Sequence, residues 1–182
     1  MGVEERRLIK EVALPEGVSA EVKAKEFSVK GPKGEITRKL FDPTVKMEVV
    51  EGKVRLSPLK LTKRQKALIN TYVAHIKNMI KGVQKPFVYK MKVCSSHFPI
   101  SVAVEGSTIV IKNFFGEKVP RKAKIVPGVK VELKGDVVTL TGNDIEAVGQ
   151  TCTNIELAAR ITNRDRRVFQ DGVWLFERGS EE

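Results

Sequence analysis

The sequence predicts an α+β protein built as two tandem domains, each an antiparallel sheet with one helix packed on it. Three observations carry that reading. The chain repeats itself: Val29-Lys30-Gly31-Pro32-Lys33-Gly34-Glu35 returns as Ile111-Lys112-Asn113-Phe114-Phe115-Gly116-Glu117, and Val45-Lys46-Met47-Glu48 as Val129-Lys130-Val131-Glu132. Short alternating apolar runs separated by Gly, Pro and Asn turns occur in both copies, the pattern of hairpin-connected strands. Each copy ends in one amphipathic stripe of helical period. A spacing of ~80 residues exceeds the roughly 20–50 of solenoid repeats, so the duplication is of whole domains. Hydrophobic residues make up 41% of the 182, enough for real cores and too many for a disordered tail.

In chain order, Pro15 and Gly17 mark a first turn. Val22, Ala24 and Glu26 lead into Phe27 and Val29 as strand, closed by the Gly31-Pro32-Lys33-Gly34 turn. A strand over Val45–Glu48 turns at Gly52 into Lys53-Val54-Arg55-Leu56. The first helix is expected from Thr62, a plausible N-cap, to Ile80, with Gly82 as its stop. Ile69, Tyr72, Val73, Ile76, Ile80 and Val83 form its core-facing stripe. Gly82-Val83-Gln84-Lys85-Pro86 reads as the linker, dividing the chain into domains 1–82 and 83–182. The second copy opens with a strand, in and after which Lys90, Lys92, Ser95, Ser96 and His97 lie. Strands around Val102–Val104 and Ile109–Ile111 follow, separated by a turn at Glu105-Gly106-Ser107. Asn113–Gly116 is the next turn. Val129–Glu132 then pairs with Val137–Leu140 across Gly135. The second helix is expected from Asp144 to Ile161, capped by Asn143 or Asp144, with Ile145, Val148, Cys152, Ile155 and Ala159 facing inward. Thr162–Glu182 has no counterpart in the first copy; within it, Asp171-Gly172 between apolar residues is a tight-turn signal.

Charge separates the function classes. From Gly52 to Val104 there is no aspartate or glutamate, yet there are eleven lysines and arginines. That stretch equals the whole formal net charge of +11, since the remaining bases and acids cancel. Segregated positive charge is self-repulsive until neutralised, and a nucleic-acid backbone is the usual neutraliser for a basic protein. Lys63, Arg64 and Lys66 fall in the first turn of the first helix, where the macrodipole disfavours cations. They are either solvated helix formers or a place for phosphate. Three further clusters belong to the second copy: Lys90, Lys92, Ser95, Ser96 and His97; then Lys118, Arg121, Lys122 and Lys124; then Arg160, Arg164, Arg166 and Arg167 at its helix end. Any one cluster could be a solvated face; three in one domain point to an RNA- or DNA-binding face. Aromatics are 6% of the chain, which predicts few stacking platforms.

Other chemistries fare worse. No apolar window approaches a membrane span, Met1–Arg7 lacks the apolar core of a signal peptide, and no helix joins a basic face to bulky interfacial aromatics. Cys94 and Cys152 are isolated and read as reduced thiols of a cytosolic protein. Cys94 and His97 are too few for structural zinc, and as a nucleophile pair they offer proximity alone. Gly31–Gly34 lacks the phosphate-loop pattern. No catalytic residue, metal, cofactor or small-molecule substrate is expected. A stand-alone nucleic-acid-binding regulator is the second reading, and an enzyme using Cys94 and His97 the third.

The second copy also resembles a known family. Phe87–Lys92 running into Ser95-Ser96-His97-Phe98-Pro99-Ile100, then Asn113–Lys118, Pro127-Gly128-Val129, Gly142–Glu146 and Asn163–Val173, is similar to the second domain of large-subunit ribosomal protein six. Thr62–Thr71 resembles that family's first-domain helix. The likeness runs from about Pro15 to Gly179 and favours the archaeal and eukaryotic branch, with an archaeal source. Where the bacterial branch carries a Lys/Gly-rich run, this chain has Phe169-Gln170-Asp171-Gly172-Val173-Trp174, so bacterial contacts are not carried over there. The resemblance implies two similar α+β domains and a structural, non-catalytic place in the large subunit in the cytoplasm. It implies large-subunit rRNA bound mainly by the second domain, beside the sarcin–ricin loop and among neighbouring proteins of the stalk base. By motif match it puts rRNA contacts on Lys90, Lys92, Ser95, Ser96, His97, Asn113, Lys118, Arg121, Lys122, Asn163, Arg164, Arg166, Arg167 and Gly172.

Overall fold

The computed structural model describes residues 9–23, 26–40, 42–50, 52–60 and 62–180. The N-terminal run Met1–Arg7 and the expected strand position Ala24 lie outside them. The chain divides into two units, Met1–Lys85 and Pro86–Glu182, so the boundary falls just before Pro86 and not at Gly82.

The first unit contains β1 (Lys10–Ala13), β2 (Ser19–Lys23), β3 (Glu26–Gly31), β4 (Gly34–Arg38), β5 (Val45–Val50), β6 (Lys53–Pro58) and α1 (Lys63–Gln84). They pair as two antiparallel ladders, β1-β6-β5 and β2-β3-β4, so the expected sheet is split in two. Between β2 and β3 the sequence carries no glycine or proline, which is why a hairpin reads as one continuous strand. Helix α1 packs on β1, β3, β4 and β6, bridging both ladders. Its stripe of Ile69, Tyr72, Ile76, Met79, Ile80 and Val83 meets Phe27, Val29, Val54 and Leu56, all buried. Thr62 caps the helix as predicted, its hydroxyl accepting from the Gln65 N–H at 3.3 Å. Lys63, Arg64 and Lys66 are exposed in that first turn, which has no acidic residue.

The end of α1 departs from expectation. Gly82 and Val83 are buried helical residues, and the helix runs on to Gln84. Pro86 ends it: a residue before proline is pushed out of the α region, and Lys85 sits at φ −135°, ψ 122°. The turn between β3 and β4 completes this end, the Lys33 N–H donating to the Val83 carbonyl at 3.0 Å. That approach requires Gly31, where a Cβ would lie 2.7 Å from Val83 Cγ2 and 2.9 Å from the Val83 carbonyl oxygen.

The second unit repeats the plan with one addition. Its strands are β7 (Phe87–Cys94), β8 (Ser101–Glu105), β9 (Thr108–Lys112), β10 (Arg121–Lys124), β11 (Val129–Lys134), β12 (Val137–Gly142) and β13 (Gly172–Ser180), with α2 at Ile145–Ala158. The ladder β10-β9-β8 corresponds to β4-β3-β2, and β11-β12-β7 to β5-β6-β1; β13 is added beside β7. Asp144 caps α2, its carboxylate accepting from the Glu146 N–H at 2.9 Å. Val148, Cys152 and Ile155 face the core of Met91, Ile109, Ile111, Val138 and Leu140. The helix stops at Ala158, not Ile161. Ala159 and Ile161 are nonetheless buried, so the apolar pattern outlasts the helix that carries it. Buried Thr151 is fully used, its hydroxyl accepting from the Val126 N–H at 3.1 Å and donating to the Ala147 carbonyl at 2.8 Å.

Truncating Ile76, fully buried on α1, to alanine is expected to cost about 2–5 kcal/mol. Gly31→Ala, which only adds one carbon, should cost about 1–3 kcal/mol through overpacking against Val83. Urea unfolding of both variants checks the pair; an unchanged Gly31→Ala midpoint would show that the end of α1 has room to move.

Candidate nucleic-acid interface

The candidate site is assembled where three connecting segments of the second unit meet: residues 95–100 after β7, the turn 113–116 after β9, and residues 159–171 between α2 and β13. Phe115 is the hub. Its ring centroid lies 5.0 Å from Phe114, 5.7 Å from Phe169, 6.1 Å from His97 and 6.4 Å from Phe98. His97 and Phe169 are 4.7 Å apart. The Arg164 guanidinium covers both Phe115 (5.0 Å) and Phe169 (5.1 Å). The Asn113 side-chain amide ties the turn to the first loop by donating to the Pro99 carbonyl at 3.0 Å.

Backbone strain is concentrated here. Asn113, Phe115 and Asn163 are the non-glycine residues with positive φ among those described, at 59°, 51° and 58°. Asparagine tolerates the left-handed region; a phenylalanine there is a genuine outlier. Such residues cost on the order of 1–3 kcal/mol and persist where surrounding contacts over-determine them. The bend separates consecutive rings, Phe114 into the core at 1% exposure and Phe115 into the surface cluster.

Asp171 fixes the first loop to the third. Its carboxylate, 1% exposed, accepts from the His97 backbone N–H at 3.0 Å and meets His97 Nδ1 at 2.8 Å. Burial pushes the carboxyl up, but it is outweighed by hydrogen bonds from the His97 ring and the His97 and Ser96 amides, which hold it below the usual carboxylate range. An ionised acceptor assigns the proton to Nδ1 of the imidazole. The expected Asp-Gly tight turn is therefore wrong: Asp171 is a buried anchor, and Gly172 opens β13. Gly172 is buried too, and a Cβ there would lie 3.0 Å from the Trp174 Nε1. Its place is to seat that indole, whose N–H donates to the Gln170 carbonyl at 3.1 Å.

The expected contact residues separate into groups. His97, Asn113, Asn163 and Arg164 converge around Phe115. Ser96, Arg166 and Arg167 line a cleft with Phe169, Gln170 and Trp174, and Arg166 lies over the indole at 5.8 Å. Lys92 pairs in register with Trp174 on the sheet face away from the core. Ser95, Lys118 and Lys122 are exposed. Lys90, on the same face as Lys92, is engaged by Glu177 at 3.0 and 3.1 Å. Arg121 is a structural brace: it donates to Glu117 (2.6 and 2.8 Å) and to the Ala158 and Arg160 carbonyls (3.1 and 2.8 Å), and lies over Phe114 at 4.2 Å. It thereby satisfies carbonyls at the end of α2, where a cation also suits the dipole. Arg164, Arg166 and Arg167 lie beyond that helix, in the loop, and not at its end as expected.

Sequence reasoning missed Phe98, Phe115, Phe169 and Trp174 as site residues. The chain is poor in aromatics, but the fold gathers them on one face; their position beside Asn, Gly and Arg in turn segments was the available signal. Neither thiol is set up as a nucleophile. His97 turns Nδ1 to Asp171, and among the described residues no hydrogen bond joins its ring to Cys94, while burial, with Glu156 nearby, pushes the Cys152 thiol up to about 11. Among the described residues no group of three or more His, Cys, Asp or Glu is placed to hold a metal. No described helix is long and apolar enough to cross a membrane.

Asp171→Ala leaves two loop amides and an imidazole unpaired and should cost about 1–3 kcal/mol at neutral pH. The folded carboxyl titrates below its unfolded value of ~3.9. Its contribution is therefore complete above that value and lost as pH falls through the folded one. Unfolding free energies of wild type and variant should converge on acidification; a pH-independent gap would show that the charge of Asp171 is immaterial.

Comparison with known proteins agrees with this architecture. The family model described as "Ribosomal protein L6" matches the chain over residues 14–86 and 98–172, one segment in each unit. "Large ribosomal subunit protein uL6" of Ignicoccus hospitalis is 49% identical over 172 residues, covering 92% of either chain. The protein of that name from Methanobrevibacter smithii is 48% identical over 168 residues, covering 92% of this chain and 94% of its own. The one from Methanosarcina mazei is 43% identical over 175 residues, covering 94% and 99%. With both units matched and more than nine-tenths of its length aligned at this identity, the chain belongs to the ribosomal protein L6 family.

Proposed function

We propose that the chain is a structural, non-catalytic constituent of the large ribosomal subunit in the cytoplasm, and that residues 86–182 are its main rRNA-binding unit. In this reading it binds large-subunit rRNA beside the sarcin–ricin loop, among neighbouring proteins at the stalk base, and supports the region where translation factors bind. The observation that carries the RNA-binding part is the convergence of three loops into one cationic and aromatic face with Arg164, Arg166 and Lys92, beside which Arg167 is held by Asp165 at 3.0 Å. The curated relatives' shared name supports the ribosomal setting.

The physical logic is charge neutralisation on a preset surface. Helical RNA displays phosphates and 2′-hydroxyls more than readable base edges. The Asp171 anchor and the strained turn hold the loops before RNA arrives, so less ordering entropy is lost on binding. Arginines over aromatic rings keep their planar forks presented, which suits bidentate contact with phosphate.

The test is a salt titration of binding to an rRNA fragment containing the sarcin–ricin region, with an unrelated structured RNA of equal length as control. Selective binding that weakens steeply with salt is expected; equal binding to both would reduce the chain to a nonspecific polycation. Within that assay Arg166→Ala should lower affinity and lessen the salt slope by ~0.7–0.9 for each phosphate that is no longer neutralised. Arg121→Ala should instead lower the unfolding midpoint and leave the slope nearly intact. A slope change from Arg121→Ala with unchanged stability would transfer that residue from brace to RNA ligand.

A further inference from the structure

We propose that the cleft at Trp174 is a nucleobase site, taking one unpaired base extruded from the RNA that the second unit binds. The inference rests on the RNA-binding reading and adds to it a ligand class that charge alone does not call for. The cleft has a volume of about 560 Å³, inside the ~300–1,000 Å³ of ligand pockets. It combines an indole, two guanidiniums, the Ser96 hydroxyl and the Gln170 amide, with the Phe169 ring, already packed against Phe115 and His97, as a wall.

The indole is held as a platform. Its N–H is fixed on the Gln170 carbonyl, and the absence of a Cβ at Gly172 leaves it room to seat. Strand pairing sets it beside Lys92, on the face away from the core. Among the described residues the cation over it is the Arg166 guanidinium, at 5.8 Å, near the outer limit of such contacts. An exposed cation–π contact is worth ~0.5–1 kcal/mol, whereas a base stacked on an aromatic side chain is worth ~1–3 kcal/mol. A base therefore displaces Arg166 from the indole at a net gain, and the displaced guanidinium is free to meet the flanking phosphate.

The polar groups suit a base edge. Ser96 and Gln170 can each donate and accept, as the mixed edge of an unpaired base requires. The Gln170 amide is held weakly, donating to the Arg167 carbonyl at 3.5 Å, so its turning to a base comes at little cost. The Phe115 cluster is the poorer candidate: its rings are spent on one another and on Arg164, which spans two of them.

Trp174 is the single tryptophan, so the wild-type chain reports on its own pocket. Three RNA hairpins would be compared: one with a single-nucleotide bulge, one with an abasic residue at the bulge, and one fully paired. Binding is read by anisotropy of labelled RNA and stacking by tryptophan emission. The base-bearing bulge is expected to quench emission and to bind about tenfold more tightly than the abasic one, the 1.4 kcal/mol equivalent of a single stack. Trp174→Phe should retain most of that preference and Gln170→Ala should reduce it. Equal affinity and equal emission change for the base-bearing and abasic hairpins would overturn the nucleobase site while leaving RNA binding intact. Failure of all three hairpins and of the rRNA fragment to bind would overturn the RNA-binding reading itself, and this one with it.

Discussion

The pairing of β13 with β7 is the constraint on which the candidate interface depends. The register sets Gly172 opposite Cys94 and Trp174 opposite Lys92. Once that ladder forms, residue 171 must lie next to residues 95–97, and the loop arriving from α2 must end beside the loop leaving β7. Asp171 then secures the junction with hydrogen bonds to His97. A slip of one residue would turn Trp174 to the core side and Val173 to the solvent, since side chains alternate along a strand. The bulge between Leu175 and Glu177 lies farther along β13, where the Glu156 carboxylate from α2 accepts the Leu175 N–H at 3.1 Å. The irregularity is thus satisfied by the helix and does not spread to the end that carries the site.

The duplicated plan makes the two units alike in architecture and different at one sheet edge. Both lay one helix across two small ladders, and both meet the same demand to bury its stripe. The second unit alone gains a strand, and with it the loop of residues 159–171. The addition lies at the edge of a shared packing solution, and its Val173 joins the core of the second unit.

Positive charge in this protein has two uses that composition cannot separate. Arg121 spends its guanidinium on a helix end and a carboxylate, and Lys90 meets Glu177 across the sheet. Arg164 and Arg166 instead lie over aromatic rings, contacts that hold the plane of the fork without consuming its N–H donors. Electrostatic attraction for a polyanion follows from net charge, but presented donors follow from geometry.

What the sequence determined by itself is whatever local periodicity and backbone chemistry dictate. The two-domain α+β plan, the Thr62 and Asp144 caps, the Gly31–Gly34 turn and the strands about Gly52 and Gly135 belong to this class, as do the Lys/Arg clusters. The errors fell where a local signal competes with tertiary packing. Gly82 reads as a helix stop, yet it is buried inside α1, and Pro86 sets the limit by steric exclusion. Ala159 and Ile161 continue an apolar stripe that the backbone no longer follows as helix. Asp171-Gly172 reads as a turn because its partners, His97 and Ser96, are some seventy residues distant in the chain. Only the tertiary structure decided that eleven scattered aromatics would contribute Phe98, Phe115, Phe169 and Trp174 to one face. Only it could show which arginines brace the fold and which face outward. The reason is physical: strand register and buried hydrogen bonds join residues without regard to their separation, and no periodicity encodes such a meeting.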